Sequence, residues 1–197
     1  RQSIARGRDV ALRAFPHQCF SENAESLEEV VIKLLLEQVK KTATAESCTG
    51  GLVGARLTDV PGASDAFVGG VISYSNEVKE HQLGVPLRVL VDHGAVSEEV
   101  AKAMASGVRQ QLGSDWGLGI TGIAGPTGGT PDKPVGTVWI ALAGNDATQD
   151  RRTGLTHQVA DDVVQLDIHL GQRLLHVSDA ARLFLNLPRA LTDKGAQ

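Results

Sequence analysis

The sequence predicts an α/β protein, a three-layer α/β/α sandwich with a mixed, mostly parallel sheet. Short apolar runs typical of strands alternate along the 197 residues with segments of helical spacing, which favours helices on both faces of one sheet. The last two strands have no helix between them, so that pair could be antiparallel. The length suits a single well-cored domain, which we assign to residues 24–190. Residues 1–23 show no sustained period and are interpreted as a tail or trimmed linker.

The order of elements follows from apolar periodicity and from turn-forming residues. Apolar side chains at helical spacing from Leu27 to Val39 predict the first helix. Ser97 followed by two glutamates predicts the start of a later helix that runs to about Leu112. The other predicted elements are strands at 42–45, 67–74 (buried), 116–121, 135–143 and 164–170 (half-buried), helices at 52–57 and 174–187, a glycine-rich loop at 122–130 and an exposed loop at 144–161.

Composition and charge narrow the classes of function. The net charge is −4 and no cluster of lysine and arginine is present, which argues against nucleic acid as a partner. The apolar runs are too short to span a membrane. Arg1 begins the chain without the apolar core of a signal peptide, and we interpret it as a trimmed or processed end. Two cysteines, Cys19 and Cys48, favour a reduced, cytoplasmic chain over a disulfide-bonded one.

The most informative stretch is residues 45–51, Ala-Glu-Ser-Cys-Thr-Gly-Gly, which connects a predicted strand to a predicted helix. Such a turn places hydroxyls and free backbone N–H groups at a helix N-terminus, where they suit an anion, an oxyanion or an activated serine. The alternative is a plain connection in which Ser47 or Thr49 is the N-cap. Cys48 is either a rival nucleophile or a small buried residue.

Polar or glycine-rich sequence follows three predicted strands, at residues 47–51, 74–79 and 121–130. Ligands of α/β sheets bind beyond the carboxyl ends of parallel strands, so these segments are candidates for one site. None of them contains a histidine, and a desolvated lysine can act as the base instead. Lys79 is therefore the candidate base, with Tyr74 beside it. The alternatives are a solvated lysine on a short helix and a tyrosine ring in the core.

Two kinds of cofactor chemistry find little support in the sequence. The loop at 121–130 has the glycine content of a phosphate cradle, but neither a Walker lysine nor a dinucleotide fingerprint is present. No His/Cys/Asp cluster has the spacing of metal ligands. We therefore expect no metal and no other cofactor.

Six segments of the chain resemble the CinA C-terminal domain family, and the likeness runs from about residue 25 to residue 187. The segments are Ala45-Glu46-Ser47-Cys48-Thr49-Gly50-Gly51, Pro61-Gly62-Ala63-Ser64, Tyr74-Ser75-Asn76-Glu77-Val78-Lys79, Gly94-Ala95-Val96-Ser97, Thr121-Gly122-Ile123-Ala124-Gly125-Pro126 and Lys133-Pro134-Val135-Gly136-Thr137-Val138.

The resemblance implies an activity and a catalytic constellation. The family includes nicotinamide-nucleotide amidohydrolases of pyridine nucleotide salvage, which convert nicotinamide mononucleotide to nicotinate mononucleotide and ammonia. It implies a metal-free serine amidase with Ser47, Tyr74 and Lys79 as catalytic residues, assembled as a homodimer or higher homo-oligomer. With this mechanism, our candidates for binding the oxyanion and the substrate are Cys48, Thr49, Gly50, Gly51, Thr121, Gly122, Gly125 and Arg173.

The chain departs from the family in two places. Many members have Gly-Asp-Arg where this chain has Gly171-Gln172-Arg173, so Arg173 is kept as a candidate phosphate ligand without the neighbouring acid. Many also carry a large N-terminal domain, for which residues 1–23 are too short. One alternative function is a nucleotide-binding module with little or no deamidase activity. Another, phosphotransfer on the glycine-rich loop, is disfavoured because the magnesium-holding aspartate pattern is missing.

Overall fold

The structure, a computed structural model, describes residue 21, residues 24–144 and the backbone of residues 162–167. Five strands and five α-helices lie in this part of the chain, with one 3₁₀ turn at Ala63–Asp65. The helices are α1 (Leu27–Glu37), α2 (Leu52–Thr58), α3 (Asn76–Leu83), α4 (Leu87–His93) and α5 (Glu98–Leu112). The strands are β1 (Thr42–Glu46), β2 (Phe67–Ile72), β3 (Trp116–Gly122), β4 (Thr137–Ala143) and β5 (Asp162–Asp167).

The five strands form one mixed sheet in the order β2-β1-β3-β4-β5. Strand β1 runs parallel to both of its neighbours, whereas the pairs β3–β4 and β4–β5 are antiparallel. Four strands therefore point one way and only β4 is reversed. Helices cover both faces, which confirms the predicted three-layer sandwich, and the last two strands are antiparallel as the missing helix between them suggested.

Each face of the sheet has its own apolar core. On one face, α1 and α2 pack on β3 and β4 through residues that include Ile32, Leu57 and Ile120. On the other face, α3, α4 and α5 pack on β1 through Leu83, Leu90 and Met104, among others. The site described below lies where β1 ends, between these two layers.

Helix α5 lies unusually close to β3 because two glycines of that strand carry no side chain. A Cβ atom added to Gly117 would collide with the carbonyl of Ala105, and one added to Gly119 would collide with that of Ala101. Helix α5 begins after Ser97, whose hydroxyl accepts the N–H of Val100. The predicted cap and helix at this position are confirmed.

Several predicted boundaries are wrong, for local reasons. Helix α1 ends at Glu37, because the backbone of Val39 is left-handed (φ +53°), and its side chain is 88% exposed. The strand predicted at 67–74 ends at Ile72 and is an edge strand with alternate residues exposed rather than a buried one. The strand predicted at 135–143 begins at Thr137.

Two helices, α3 and α4, were not predicted. Both are short, and α4 exposes the apolar side chains of Leu87 and Val91, so neither has a clear apolar period. Helix α3 begins within the polar segment at 74–79, where the Ser75 hydroxyl accepts the N–H of Val78 and caps it. The predictions for residues 1–20, Cys19 included, for the loop at 145–161 and for residues 168–197 lie outside the described residues.

Candidate active site

Ser47 is the first residue after β1, and the main chain holds it firmly at the carboxyl end of the sheet. Its N–H donates to the carbonyl of Ile120 on β3 at 3.0 Å, and its own carbonyl accepts the N–H of Gly50 at 3.1 Å. The serine side chain is buried, with 7% of the residue exposed, and the alternative that Ser47 or Thr49 caps α2 is wrong, because Gly51 is its N-cap and no side chain caps it. The turn therefore presents its hydroxyl to the protein interior.

Lys79 lies on α3 and meets Ser47 in the interior. Its Nζ atom lies 3.1 Å from Ser47 Oγ, 2.6 Å from the carbonyl oxygen of Ser73 and 3.2 Å from that of Tyr74. Only 1% of Lys79 is exposed, which makes it one of the largest fully buried side chains. The interpretation of Lys79 as a solvated surface lysine is therefore wrong.

Burial lowers the pKa of Lys79, because an ammonium ion loses its hydration in this environment. The nearby Cys48 acts in the opposite direction with a smaller effect. A neutral amine has two hydrogens and one lone pair. The carbonyls of Ser73 and Tyr74 can accept the two hydrogens, which leaves the lone pair for the Ser47 hydroxyl. The arrangement suits a lysine that removes the serine proton.

Tyr74 contacts the lysine through its main chain, not through its phenol. The carbonyl of Tyr74 accepts a hydrogen bond from Nζ, whereas the residue is 78% exposed. The alternative of a ring in the core is wrong, because β2 has already ended at Ile72 and the chain has turned outward at the sheet edge. The side chain of Tyr74 is therefore open to solvent.

The turn after Ser47 differs from the predicted oxyanion site. The N–H of Gly50 donates to Ser47 O, and the N–H of Gly51 donates to the buried carboxylate of Glu46 at 3.0 Å. Neither amide is free to bind an oxyanion. The N–H groups of Cys48 and Thr49 donate to no main-chain carbonyl among the described residues, although both face the Cys48 sulfur and act to lower the pKa of its thiol. Of the expected donors in this turn, these two are the ones left available.

Cys48 is a poor competitor for the role of nucleophile. It is a half-buried free thiol that packs against the apolar core on the α1 and α2 face. Burial raises the pKa of Cys48 to about 11, so the reactive thiolate is scarce near neutral pH. The structure also brings Gly122 to this residue, since a Cβ atom at Gly122 would lie 3.1 Å from Cys48 Sγ.

The end of β3 and the segment that follows the glycine-rich loop are hydrogen-bonded to the end of α4 and to the chain between α4 and α5. The Thr121 hydroxyl is buried and donates to the carbonyl of Ala95 at 2.8 Å, and Lys133 Nζ donates to that of His93 at 2.7 Å. Gly125 has a left-handed backbone (φ +83°) and faces Val135, which leaves no room for a Cβ atom. These contacts therefore determine the conformation of the chain around the loop. Arg173 lies outside the described residues.

Sequence reasoning missed two residues of the site. Glu46 is almost fully buried, and its carboxylate binds the turn after Ser47. Ser73 is also buried and supplies the shortest contact of Lys79 through its carbonyl. A glutamate at the end of a strand whose other residues are small and uncharged was a signal for the first. A main-chain contact leaves no signal in the sequence, so the second could not be found.

The described residues hold neither a metal-binding cluster nor a membrane-spanning helix. No group of three or more His, Cys, Asp or Glu side chains within them could hold a metal ion. No helix in the same part of the chain is long and apolar enough to cross a membrane.

The fold and the site together define a class: three-layer α/β/α proteins with a serine and a buried lysine paired at the carboxyl end of a mixed sheet. Comparison with known families gives the particular family. The model of the CinA C-terminal domain matches residues 24–176, and the chain belongs to this family.

Curated relatives agree with this assignment. A CinA-like protein of Anaeromyxobacter sp. (strain K) is 52% identical over 145 residues, which cover 74% of this chain and 36% of the relative. A CinA-like protein of Prochlorococcus marinus is 40% identical over 175 residues, which cover 88% of this chain and 40% of that relative. The chain thus spans between a third and two fifths of the length of these relatives.

Solved structures show the same fold. The competence/damage inducible protein CihA from Agrobacterium tumefaciens superposes with a TM-score of 0.63 at 30% identity, covering 81% of this chain and 87% of that one. A competence-damaged protein (CinA) superfamily protein from Klebsiella pneumoniae gives a TM-score of 0.64 at 28% identity, covering 81% and 88%.

Proposed function

We propose that the chain is an amidohydrolase that converts nicotinamide mononucleotide to nicotinate mononucleotide and ammonia in pyridine nucleotide salvage. The observation that carries the proposal is the buried contact of 3.1 Å between Lys79 Nζ and Ser47 Oγ. A serine hydroxyl needs an adjacent base, and a lysine whose pKa is lowered by burial is one. The family resemblance supplies the substrate, since the family includes enzymes with this activity.

The reaction has two halves in this proposal. Ser47 Oγ attacks the carboxamide carbon of the pyridine ring while its proton passes to Lys79 Nζ, and the N–H groups of Cys48 and Thr49 stabilise the oxyanion. The C–N bond then breaks, and Lys79 returns the proton to the departing ammonia. Water attacks the acyl carbon next and gives a proton to Lys79. The bond between that carbon and Ser47 Oγ then breaks, Lys79 returns the proton to Ser47 Oγ, and the nicotinate product leaves.

Tyr74 contributes to this mechanism in two places. Its carbonyl helps to hold Lys79 Nζ, and its exposed phenol is available to the bound pyridine nucleotide. The substrate phosphate needs a cation or several N–H donors. Arg173 and the loop at 121–129 remain our candidates for that role. The proposal also includes the assembly and its location: the chain acts in the cytoplasm as a homodimer or higher homo-oligomer and needs no further cofactor.

Release of ammonia from nicotinamide mononucleotide tests the proposal, measured with and without EDTA. We expect release in both conditions, and loss of release on chelation that Zn²⁺ or Mg²⁺ restores would contradict the serine mechanism. A nucleotide-binding module is the second candidate, favoured by the occupied N–H groups of Gly50 and Gly51. It would bind the nucleotide in calorimetry without releasing ammonia.

A further inference from the structure

Glu46 is the last residue of β1 and directly precedes the serine of the site. It is 1% exposed, and each of its carboxylate oxygens accepts main-chain N–H groups from the start of α2. Oε2 accepts from Gly51 at 3.0 Å and from Val53 at 3.1 Å, and Oε1 accepts from Gly54 at 2.8 Å. A carboxylate that takes three N–H groups in the interior is strongly held in place.

The local sequence is shaped around this carboxylate. Gly51 has a left-handed backbone (φ +96°), which directs the chain back over Glu46. Gly54 lets α2 approach it, because a Cβ atom there would lie 3.5 Å from Glu46 Oε1 and 3.3 Å from Phe67 Cζ. The first N–H groups of α2 are thus bound inside the protein and are not open to an anion of the substrate.

The turn that carries Ser47 is fixed at both ends by these contacts. At its start, the N–H of Ser47 donates to Ile120 O, and at its end the N–H of Gly51 donates to the carboxylate of Glu46. Between these points lie Cys48 and Thr49, whose N–H groups donate to no main-chain carbonyl among the described residues. The side chain of Glu46 therefore sets the conformation of the segment that bears both the hydroxyl and the remaining donors.

We infer that Glu46 is a positioning residue, which holds Ser47 Oγ against Lys79 and leaves the Cys48 and Thr49 N–H groups as the donors for the oxyanion. This inference rests on the proposed function. It assigns to Glu46 no contact with the substrate. Its effect reaches the reaction through the turn, so its loss slows the chemical step and leaves binding of the nucleotide almost unchanged.

A glutamine at this position separates the role of the carboxylate from that of its volume. Glutamine has one acceptor oxygen and an NH₂ group in place of the second oxygen. In Glu46→Gln that NH₂ group must face either Gly54 or the pair Gly51 and Val53, which are themselves donors. At least one main-chain N–H therefore loses its partner and the turn shifts. A displacement of about 1 Å in an active site can cost about 10²-fold in rate.

The experiment compares Glu46→Gln with Glu28→Gln. Glu28 is a matched control, because it is also buried and binds Arg56 of the same helix α2 at 2.9 Å, away from the turn. Two rates are measured: turnover of nicotinamide mononucleotide, and phosphonylation of Ser47 by an alkyl fluorophosphonate, followed by intact mass. In the second reaction Ser47 Oγ bonds to phosphorus, fluoride leaves, and the serine proton passes to Lys79.

We expect Glu46→Gln to lower kcat and the phosphonylation rate by about 10²-fold with KM nearly unchanged, and Glu28→Gln to match the wild type. Equal rates for Glu46→Gln and wild type, or equal losses in both variants, would overturn the inference. If Glu46→Gln does not fold, Glu46→Asp replaces it, since its carboxylate is one methylene shorter, cannot bind the Gly51 and Gly54 N–H groups from the same position, and should lower the same two rates. Wild-type rates for a folded Glu46→Asp would overturn the inference too.

The two readouts also separate this inference from the proposed function. Wild-type protein that is phosphonylated at Ser47 but releases no ammonia would refute the proposed substrate. The comparison of phosphonylation rates would still decide the role of Glu46. Wild-type protein that is neither phosphonylated nor active would overturn both proposals, because Ser47 would then not be a nucleophile.

Discussion

Lys79 Nζ lies 3.1 Å from Ser47 Oγ, although 32 positions separate the two residues in the chain. The serine directly follows strand β1, and the lysine lies on helix α3. The connection after the edge strand β2 brings two carbonyl groups to the same amine. The pair is therefore a product of the sheet order, in which β2 lies next to β1.

Replacing the lysine by arginine separates charge from proton transfer. Lys79→Arg keeps the positive charge, but a guanidinium does not give up its proton near neutral pH. We expect the release of ammonia to fall by about 10³-fold or more, as expected when a base of this kind is lost. Lys40→Arg is the control, because Lys40 is exposed and pairs with Asp115 instead. An active Lys79→Arg protein would show that the site needs only a charge.

The pH dependence of the reaction should follow the same lysine. Only the neutral amine accepts the serine proton, so kcat/KM should rise with pH as Lys79 loses its own proton. Burial lowers the pKa of Lys79, which places the midpoint of this limb below the ordinary lysine value of about 10.4. Initial rates over a series of buffers measure it. A limb that falls with rising pH through the neutral range would contradict a neutral lysine base.

Stability should respond to pH with the same sign. Between the lowered pKa of folded Lys79 and the ordinary value of the unfolded chain, the unfolded chain binds more protons. The free energy of unfolding should therefore rise with pH through that window. Lys79→Met has no titrating group at this position, so its free energy of unfolding should depend less on pH. The stability of the wild type relative to this variant should therefore increase as pH rises. Urea unfolding of both proteins at each pH gives the difference, and parallel curves would refute burial of a neutral lysine.

The sequence predicted the layered fold and the main residues of the site more accurately than it predicted the contacts between those residues. Alternation of strands and helices was enough for the sandwich, because each layer must bury an apolar face. The segments of Ser47 and Lys79 were recognisable as strand ends, and the structure brings them together. The exposure of Tyr74 was not predictable, since an apolar run that includes the only tyrosine gives no sign that its strand lies at the sheet edge.

The main-chain N–H donors of the turn after Ser47 show why the other contacts of the site could not be predicted. The sequence presents Thr49, Gly50 and Gly51 as equivalent backbone N–H groups. Which of them is free depends on where Glu46 directs its carboxylate, and that depends on the approach of α2 over Gly54. Contacts of this kind arise from tertiary packing and leave no periodic signal.

The identity of the nucleophile can be tested with two neighbouring residues. Ser47→Ala should abolish both ammonia release and phosphonylation, because no other hydroxyl contacts Lys79 Nζ among the described residues. Cys48→Ala should remain active, since the pKa of this thiol is raised to about 11 and the side chain serves packing. Circular dichroism checks that both variants keep their fold. The reverse result, an active Ser47→Ala and an inactive Cys48→Ala, would make Cys48 the nucleophile.

The part of Tyr74 that matters for serine activation should be its carbonyl. Tyr74→Phe removes the phenol but keeps the main-chain oxygen that lies 3.2 Å from Lys79 Nζ. We therefore expect phosphonylation of Ser47 to proceed at the wild-type rate in this variant, with an unchanged pH midpoint. Any loss confined to ammonia release would then measure what the exposed phenol does for the bound nucleotide. A Tyr74→Phe variant that is phosphonylated as poorly as Lys79→Arg would instead place the phenol in the transfer of the serine proton.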